Sequence, residues 1–247
     1  MNIMRFPQTQ CFLYAEFHKL PYFEYVRDTV AVLDSLVVLF KRYFSTIAQT
    51  PLYIVNGHPK HSEPETFCGS KVIFLKVSPP EDGSGGYWTQ FIYQFSHEFC
   101  HHLIPRPVPK KLRWFEESLC ELASHFFLLK SAEMWAIAPP YESWRPFAPA
   151  VLSYEINAQK TASFFPISDL LRPGSEILMF LERNEYQRDF NKNVALKLLP
   201  FFIDNPCLWN IIYALPDLSP DSTFKENMIT LQRKTPHPIY DIICSLP

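Results

Sequence analysis

Two histidines and a glutamate lie close together in the run from Tyr93 to Leu103, which contains the pattern His-Glu-x-x-His. His97 and His101 are four residues apart, so on a helix both imidazoles lie on one face and can bind one metal ion. Glu98 is turned about 100° from His97 and can still face a water molecule bound to that metal. Residues of these types at this spacing are typical of metal-activated hydrolysis.

The residues around this motif predict the helix that it requires. No glycine or proline occurs from Tyr87 to Ile104. Apolar residues recur there at helical spacing and form a core-facing stripe on the side opposite the two histidines. The stripe consists of Phe91, Ile92, Phe95, Phe99 and Leu103. A glycine-rich segment at 81–86 precedes the predicted helix, and prolines at 105, 107 and 109 prevent its continuation.

A catalytic zinc site normally has three protein ligands and an open position for water, so a third ligand is expected downstream. The segment from Leu112 to Lys130 predicts a second helix, whose apolar stripe contains Phe115, Leu119, Leu122 and Phe126. At about 100° per residue, Glu117 and Glu121 lie roughly opposite that stripe, whereas Glu116 lies to its side. We therefore predict Glu117 as the third ligand and Glu116 as a solvated or structural carboxylate. Glu121, one turn later, is predicted to accept a hydrogen bond from the free ring nitrogen of a ligand histidine, by preference His97.

The motif and the segment from Trp114 to Glu121 together resemble the gluzincin superfamily of zinc metallopeptidases. In that family a second helix carries a glutamate ligand within a segment of the type Trp-x-x-Glu-Gly-x-x-Glu. Matched position by position, Glu117 falls on the metal ligand and Glu121 on the second carboxylate. A spacer of 15 residues separates His101 from Glu117, which is similar to the short-spacer branch of compact minigluzincins.

The resemblance covers about residues 70 to 130 and departs from the family pattern at two positions. Ser118 stands where glycine is usual, and Cys120 stands where alanine is usual. Both are small, so the helices can still approach closely. The metzincin pattern is excluded, because its glycine and histidine would fall on Ile104 and Pro107.

The resemblance implies a zincin-like core, one Zn²⁺ per chain and a peptide or protein substrate. Glu98 would act as the general base that takes a proton from the metal-bound water and delivers it to the leaving amine, without a covalent intermediate. The strand predicted at 71–77 would form the rim of the cleft and pair with an extended substrate. The residue that stabilises the oxyanion is left open among Tyr141, Tyr154, Tyr186 and His125.

Hydrophobic periodicity predicts an α+β fold. Before the two motif helices we expect a strand, a helix and two further strands, at Cys11–Phe17, Tyr25–Phe44, Leu52–Val55 and Lys71–Val77. After about residue 135 the pattern is helical without a strong strand signal, with runs at 175–185, 186–202 and 206–214. We predict a zincin-like metallopeptidase core at 1–135 and a helical C-terminal subdomain at 136–247, which either closes the cleft or serves as an interaction module.

Composition limits the class of protein. A chain of 247 residues that is 47% hydrophobic can bury a large core. The net charge of −2 and the lack of a basic run argue against nucleic-acid binding. Six cysteines without paired spacing suit reduced thiols. No signal peptide is visible, and the most apolar segment, Val30 to Phe40, contains Asp34 and is too short to cross a bilayer, so we predict a cytoplasmic protein without a membrane partner. The oligomeric state is left open.

The remaining histidines favour ordinary structural roles. His102 adjoins a predicted ligand but is turned about 100° away, which indicates a packed or hydrogen-bonded side chain. His58 and His61 lie in a polar, turn-rich stretch and are predicted to be surface residues.

Three functional interpretations follow from these residues. The leading one is an active zinc metallopeptidase. The second is a catalytically silent gluzincin-like domain that keeps a metal for stability or serves as a binding scaffold. The third is a chance motif in a helical interaction protein. The intact Glu98 favours activity, because a structural zinc needs no base and usually closes its fourth position with cysteine or histidine.

Overall fold

The computed structural model describes residues 3–14, 23–45, 51–58, 60–77, 86–161, 165–235 and 237–246. This part of the chain forms a five-stranded mixed sheet followed by a mostly helical region, which confirms the predicted α+β class. The strands are β1 (Ile3–Arg5), β2 (Cys11–Tyr14), β3 (Leu52–Asn56), β4 (Glu65–Thr66) and β5 (Val72–Leu75). The α-helices are α1 (Phe23–Phe40), α2 (Gly86–Leu103), α3 (Arg113–Ile137), α4 (Ala148–Ala158), α5 (Glu176–Arg183), α6 (Arg188–Asp204), α7 (Phe224–Lys234) and α8 (Ile239–Ser245).

The sheet has the strand order β1-β2-β3-β5-β4. The three central strands are parallel, and the two outer strands, β1 and β4, pair antiparallel with their neighbours. The predicted strands at 52–55 and 71–77 are confirmed as β3 and β5. The predicted strand at 11–17 is confirmed for 11–14, and its last residues lie outside the described residues. The sequence did not predict β1 and β4, because segments of three and two residues are too short for an alternating pattern.

The expectation that β5 forms the free rim of a cleft is wrong for the described residues. β4 covers the outer side of β5, with Glu65 opposite Phe74. Directly after β5, the side-chain amide of Gln94 forms hydrogen bonds with both backbone groups of Lys76. The Lys76 amide donates to Gln94 Oε1 at 2.9 Å, and Gln94 Nε2 donates to the Lys76 carbonyl at 3.3 Å. The backbone groups of the predicted rim are therefore already paired within the chain.

The chain divides into two compact units, each built from two segments. The first comprises residues 1–102 and 123–158 and contains the sheet, α1, α2, α4 and residues 123–137 of α3. Aromatic rings fill its core: Phe40 stacks on Phe127 with centroids 3.5 Å apart, and Phe99 meets Phe40 edge-on at 4.9 Å. The predicted domain division after residue 135, which falls two residues before the end of α3, stays a prediction.

The second unit comprises residues 103–122 and 159–247. It contains the connection from α2 to α3, the first turns of α3 and the helices α5 to α8. Phe224, the first residue of α7, packs against Trp114 and Phe115 with ring centroids 4.9 and 5.3 Å apart. The C-terminal region thus packs against the same turn of α3 that carries Glu117.

The predicted helical runs of the C-terminal region are found with small shifts. Ser175 caps α5 by accepting a hydrogen bond from the Leu178 amide, which places the start of the helix at residue 176. The run predicted at 206–214 is a 3-10 helix, Pro206–Asp217. Among the described residues after β5 there is no strand, and no described helix is both long and apolar enough to cross a membrane.

Candidate metal centre

Helix α2 presents the two histidines on its polar side. Phe91, Phe95 and Phe99 are 0 to 2% exposed, which confirms the predicted apolar stripe. His97 and His101 are half-buried, and their ring centroids are 5.1 Å apart with planes inclined by 62°. The aromatic stripe fixes the rotation of α2 about its axis and thereby directs both imidazoles the same way.

Helix α3 presents Glu117 in a similar manner. Phe115, Leu119 and Leu122 are completely buried, whereas Glu117 is half-buried. The two positions that depart from the gluzincin pattern fit the helix packing, since Ser118 and Cys120 are both 0% exposed. Ser118 Oγ donates a hydrogen bond to the Trp114 carbonyl at 2.8 Å, so the hydroxyl at the usual glycine position is satisfied within its own helix.

His97, His101 and Glu117 form a cluster that could hold a metal ion. Each side chain offers one ligand atom, and these atoms all lie within 4.8 Å of one another. Ligand atoms about 2.0–2.2 Å from a tetrahedral zinc are roughly 3.4 Å apart, so small side-chain rotations suffice to close the cluster on an ion. Two imidazole nitrogens and one carboxylate oxygen form a donor set that suits Zn²⁺ and other first-row divalent metals. The predicted convergence of these three residues is confirmed.

Two further carboxylates on the same helices are almost completely buried. Glu98 is 5% exposed and Glu121 is 3% exposed. A carboxylate withdrawn from water to this extent needs a cation or hydrogen-bond donors nearby, or it becomes protonated. Their burial suits residues that act toward a metal site, but the base role of Glu98 and the supporting role of Glu121 stay predictions.

His102 has a different environment from its neighbour His101. Its ring stacks on Phe99, with centroids 5.8 Å apart and planes inclined by 15°. Burial lowers the pKa of His102 below its ordinary value, and a hydrogen bond to the backbone of Ser70 opposes this shift. His102 is not part of the cluster, and the prediction of a packed, hydrogen-bonded histidine is confirmed.

The candidates for stabilising an oxyanion differ in accessibility. His125 is 0% exposed, and its Nδ1 lies 2.9 Å from both carboxylate oxygens of Glu155. Its side chain is therefore packed and hydrogen-bonded in the interior of the protein. Tyr186 is 72% exposed, whereas Tyr141 and Tyr154 are half-buried. The choice among the three tyrosines stays open.

Sequence reasoning did not identify Glu155, which is 0% exposed on α4. Its burial follows a pattern that is visible in the sequence. Glu155 lies at i, i+3, i+7 spacing from Ala148 and Val151, the other buried residues of this helix. The signal that could have identified this residue was a glutamate at the spacing of the buried residues of α4. A histidine at a buried position of α3, His125, was its available partner.

His58 and His61 are both partly exposed. The ring of His61 stacks on Phe74 with centroids 3.7 Å apart, and its Nδ1 pairs with the carboxylate of Glu65. His61 therefore helps to attach the turn after β3 to the sheet.

Comparisons with known proteins do not identify a relative of this chain. No protein-family model, no curated protein and no solved structure matches this chain. The case for a metal centre therefore rests on the residues and geometry of the chain. His97, His101 and Glu117, which lie in a helical region, form a triad that could bind a metal ion.

Proposed function

We propose that this chain is a zinc-dependent hydrolase that cleaves peptide bonds with a water molecule as the nucleophile. The observation that carries the proposal is the cluster of His97, His101 and Glu117, whose ligand atoms lie within 4.8 Å of one another. Two histidines and one carboxylate are the donor set of catalytic zinc sites, which leave a coordination position open, whereas structural sites usually have four protein ligands rich in cysteine.

The proposed cofactor is one Zn²⁺ per chain, held by the two imidazoles and the Glu117 carboxylate. When bound at such a site, zinc lowers the pKa of a coordinated water toward about 7 and polarises a carbonyl group. The proton of that water then needs an acceptor close by. Glu98 directly follows His97 on α2 and is the carboxylate to which we assign this task.

Glu98 would accept the proton on a carboxylate oxygen and deliver it to the nitrogen of the leaving amine. Glu98 is 5% exposed, so its carboxylate is largely withdrawn from bulk solvent, which suits a group that acts on a bound water molecule. Glu121, which is 3% exposed, would accept a hydrogen bond from a ligand histidine and fix the orientation of that ring.

The proposed substrate is a peptide or protein, and the proposed core is zincin-like, with α2 and α3 carrying the metal ligands. An extended substrate cannot pair with β5 at residues 73–74 or with the Lys76 backbone while β4 and Gln94 occupy those groups. Substrate binding along this strand would require Gln94 to release Lys76.

Hydrolysis of a peptide mixture tests the proposal most sharply when metal content is measured in parallel. The parent protein is incubated with a defined mixture of peptides, and new amino termini are quantified by mass spectrometry. Glu98→Gln is expected to retain the metal and to lower the rate of cleavage by about two or more orders of magnitude, since it removes the base without removing a ligand. The matched control is Glu116→Gln, which changes a half-buried glutamate on α3 that the proposal gives no role.

Cleavage by Glu98→Gln at the parental rate would contradict the enzymatic proposal. If the parent binds zinc but cleaves no peptide in the mixture, the catalytically silent scaffold becomes the better interpretation. If neither metal nor cleavage is found in the parent, the motif is a coincidence of sequence.

A further inference from the structure

The backbone groups along β5 and the residue after it alternate between two edges. The carbonyls of Lys71 and Leu75 accept hydrogen bonds from the amides of Tyr53 and Gly57, on the side of β3. The alternate residues, at positions 72, 74 and 76, therefore direct their backbone groups to the outer edge, away from β3.

The chain itself closes the outer edge at each of these positions. Ser70 Oγ accepts a hydrogen bond from the Val72 amide at 3.0 Å and donates one to the Val72 carbonyl at 3.2 Å. Phe74 pairs with β4, and the amide of Gln94 bonds both backbone groups of Lys76. Such closure protects the edge of a sheet from pairing with another chain.

The closure at Lys76 differs from the other two, because a side-chain amide takes the place of a strand. The register of β4 would place Glu63 opposite Lys76, but β4 begins only at Glu65. The amide of Gln94 offers one acceptor and one donor to Lys76, as a peptide main chain does. Gln94 thus occupies the position that a strand residue would take.

A second amide pair, at the neighbouring residue, indicates how easily this closure can open. On the β3 side, the Val77 amide donates to Asn56 Oδ1 at 2.8 Å, and Asn56 Nδ2 donates to the Val77 carbonyl at 2.9 Å. Asn56 is 1% exposed and Val77 is 4% exposed, so opening that pair would withdraw hydrogen bonds from buried groups. The two bonds between Gln94 and Lys76 are exposed to solvent, and one of them is 3.3 Å long. Gln94 can therefore leave Lys76 at a smaller cost.

Gln94 also lies close to the proposed metal ligands along the chain. It precedes His97 on α2 by three residues, which is about one helical turn. At 100° per residue, the two side chains differ in direction by about 60° around the helix axis. A peptide that replaced Gln94 at Lys76 would thus lie about one turn of α2 from the first proposed ligand.

We propose that Gln94 is a latch that regulates the binding of extended peptides at the proposed metal site. This inference rests on the proposed function. In the closed state the Gln94 amide occupies the backbone of Lys76. A peptide main chain, which offers the same donor and acceptor, displaces it and pairs with Lys76, while β4 and Ser70 keep the rest of the edge closed. Because only the open fraction binds peptide, the latch lowers the apparent affinity for substrate.

Steady-state kinetics of Gln94→Ala test the latch. With peptides that the parent cleaves, KM is expected to fall by about three- to tenfold, because the substrate no longer competes with a pair of exposed hydrogen bonds. The value of kcat is expected to stay within about twofold, since no proposed catalytic group is changed. A contact with only a structural role would not lower KM when it is removed. Gln94→Met, which keeps the length of the side chain without its amide, is expected to give the same fall and serves if the alanine variant does not fold.

Ser70→Ala is the matched control. It removes two hydrogen bonds from the backbone of Val72 on the same edge of the same strand. It does not touch the closure at Lys76. Its KM and kcat are expected to stay within about twofold of the parent, whereas a fall in KM equal to that in Gln94→Ala would overturn the inference.

Amide hydrogen exchange tests peptide docking without cleavage. Exchange at Lys76 is followed by NMR in zinc-loaded Glu98→Gln protein, with and without the defined peptide mixture. Adding Gln94→Ala to this background is expected to speed exchange at Lys76, and the peptides are expected to slow it again by about tenfold. In Ser70→Ala, exchange at Val72 is expected to rise and to be unaffected by the peptides.

Three results would overturn the inference. These are an unchanged KM in Gln94→Ala, exchange at Lys76 that the peptides do not slow, and self-association of Gln94→Ala in size-exclusion chromatography. The last result would show that Gln94 only protects the edge from other copies of the chain. If the parent cleaves peptides and these results are found, the inference fails alone. If the parent cleaves no peptide but the mixture protects Lys76, docking stands and the proposed catalysis fails.

Discussion

Phe224 links the C-terminal region to the proposed third metal ligand. Its side chain is 1% exposed, and its ring centroid lies 4.9 Å from that of Trp114 and 5.3 Å from that of Phe115. Both partners lie within one helical turn of Glu117. We predict that Phe224→Leu loosens this turn of α3 and weakens zinc binding without changing any ligand.

The magnitude follows from the two aromatic contacts. Each such contact contributes about 0.5–1.5 kcal/mol beyond the burial of apolar area, so loss of both lowers the free energy of unfolding by about 1–3 kcal/mol. If about 1.4 kcal/mol of this loss acts on the placement of Glu117, the zinc dissociation constant rises about tenfold. Urea denaturation measures the first quantity and chelator competition measures the second.

Phe202→Leu is the matched control for this prediction. Phe202 is 0% exposed in the same compact unit and packs edge-on against Trp209, with centroids 4.8 Å apart. Its replacement is expected to lower stability by an amount similar to that for one aromatic contact, about 0.5–1.5 kcal/mol, and to leave zinc affinity unchanged. Equal losses of zinc affinity in both variants, at temperatures where both are folded, would refute the reasoning.

Three further predictions concern the fold around the site. Gln94→Ala removes both hydrogen bonds to the Lys76 backbone and should lower the free energy of unfolding by about 1–2 kcal/mol in urea titrations, whereas unchanged stability would show that water replaces the amide without loss. A thiol reagent should modify three cysteines in the native protein and all six after denaturation, as counted by mass spectrometry; labelling of more than three native thiols would contradict the burial of the other three, in β2, α2 and α3. The exposed thiols are Cys68, Cys207 and Cys244, and the buried ones are Cys11, Cys100 and Cys120. A hydrogen bond from Arg106, with a further contribution from Lys234, holds the pKa of Asp217 below its ordinary value. The pair therefore stabilises the folded chain above the ordinary aspartate pKa, and this contribution is lost as the pH falls through the lowered pKa. In Arg106→Ala the pKa of Asp217, followed by NMR, should rise toward its ordinary value, and no change would contradict the pairing.

The two helices of the site could be predicted because their signals are long and local. Each carries an apolar stripe over more than three turns, and glycine or proline marks the ends of the first. The apolar stripe of each helix sets the orientation of that helix about its own axis. A turn of 100° per residue then gives the side of the helix on which His97, His101 and Glu117 lie. The structure confirms that these three side chains converge.

The features that sequence reasoning missed depend on contacts between distant segments. β4 is only two residues long and exists because it pairs with β5, so no local pattern marks it. That short strand overturned the prediction of an open rim. The 3-10 helix Pro206–Asp217 was predicted as helical in general, since its apolar pattern does not separate the two helix types. Glu155 escaped notice because no helical run was predicted for the segment that forms α4.

The metal content of the purified protein tests the central claim most directly. The account predicts about one zinc ion per chain in the parent, a strong reduction in His97→Ala and in Glu117→Ala, and parental content in Glu116→Ala, which changes the neighbouring glutamate on the same helix. Absence of zinc from the parent after reconstitution, or equal zinc content in Glu117→Ala and Glu116→Ala, would contradict it.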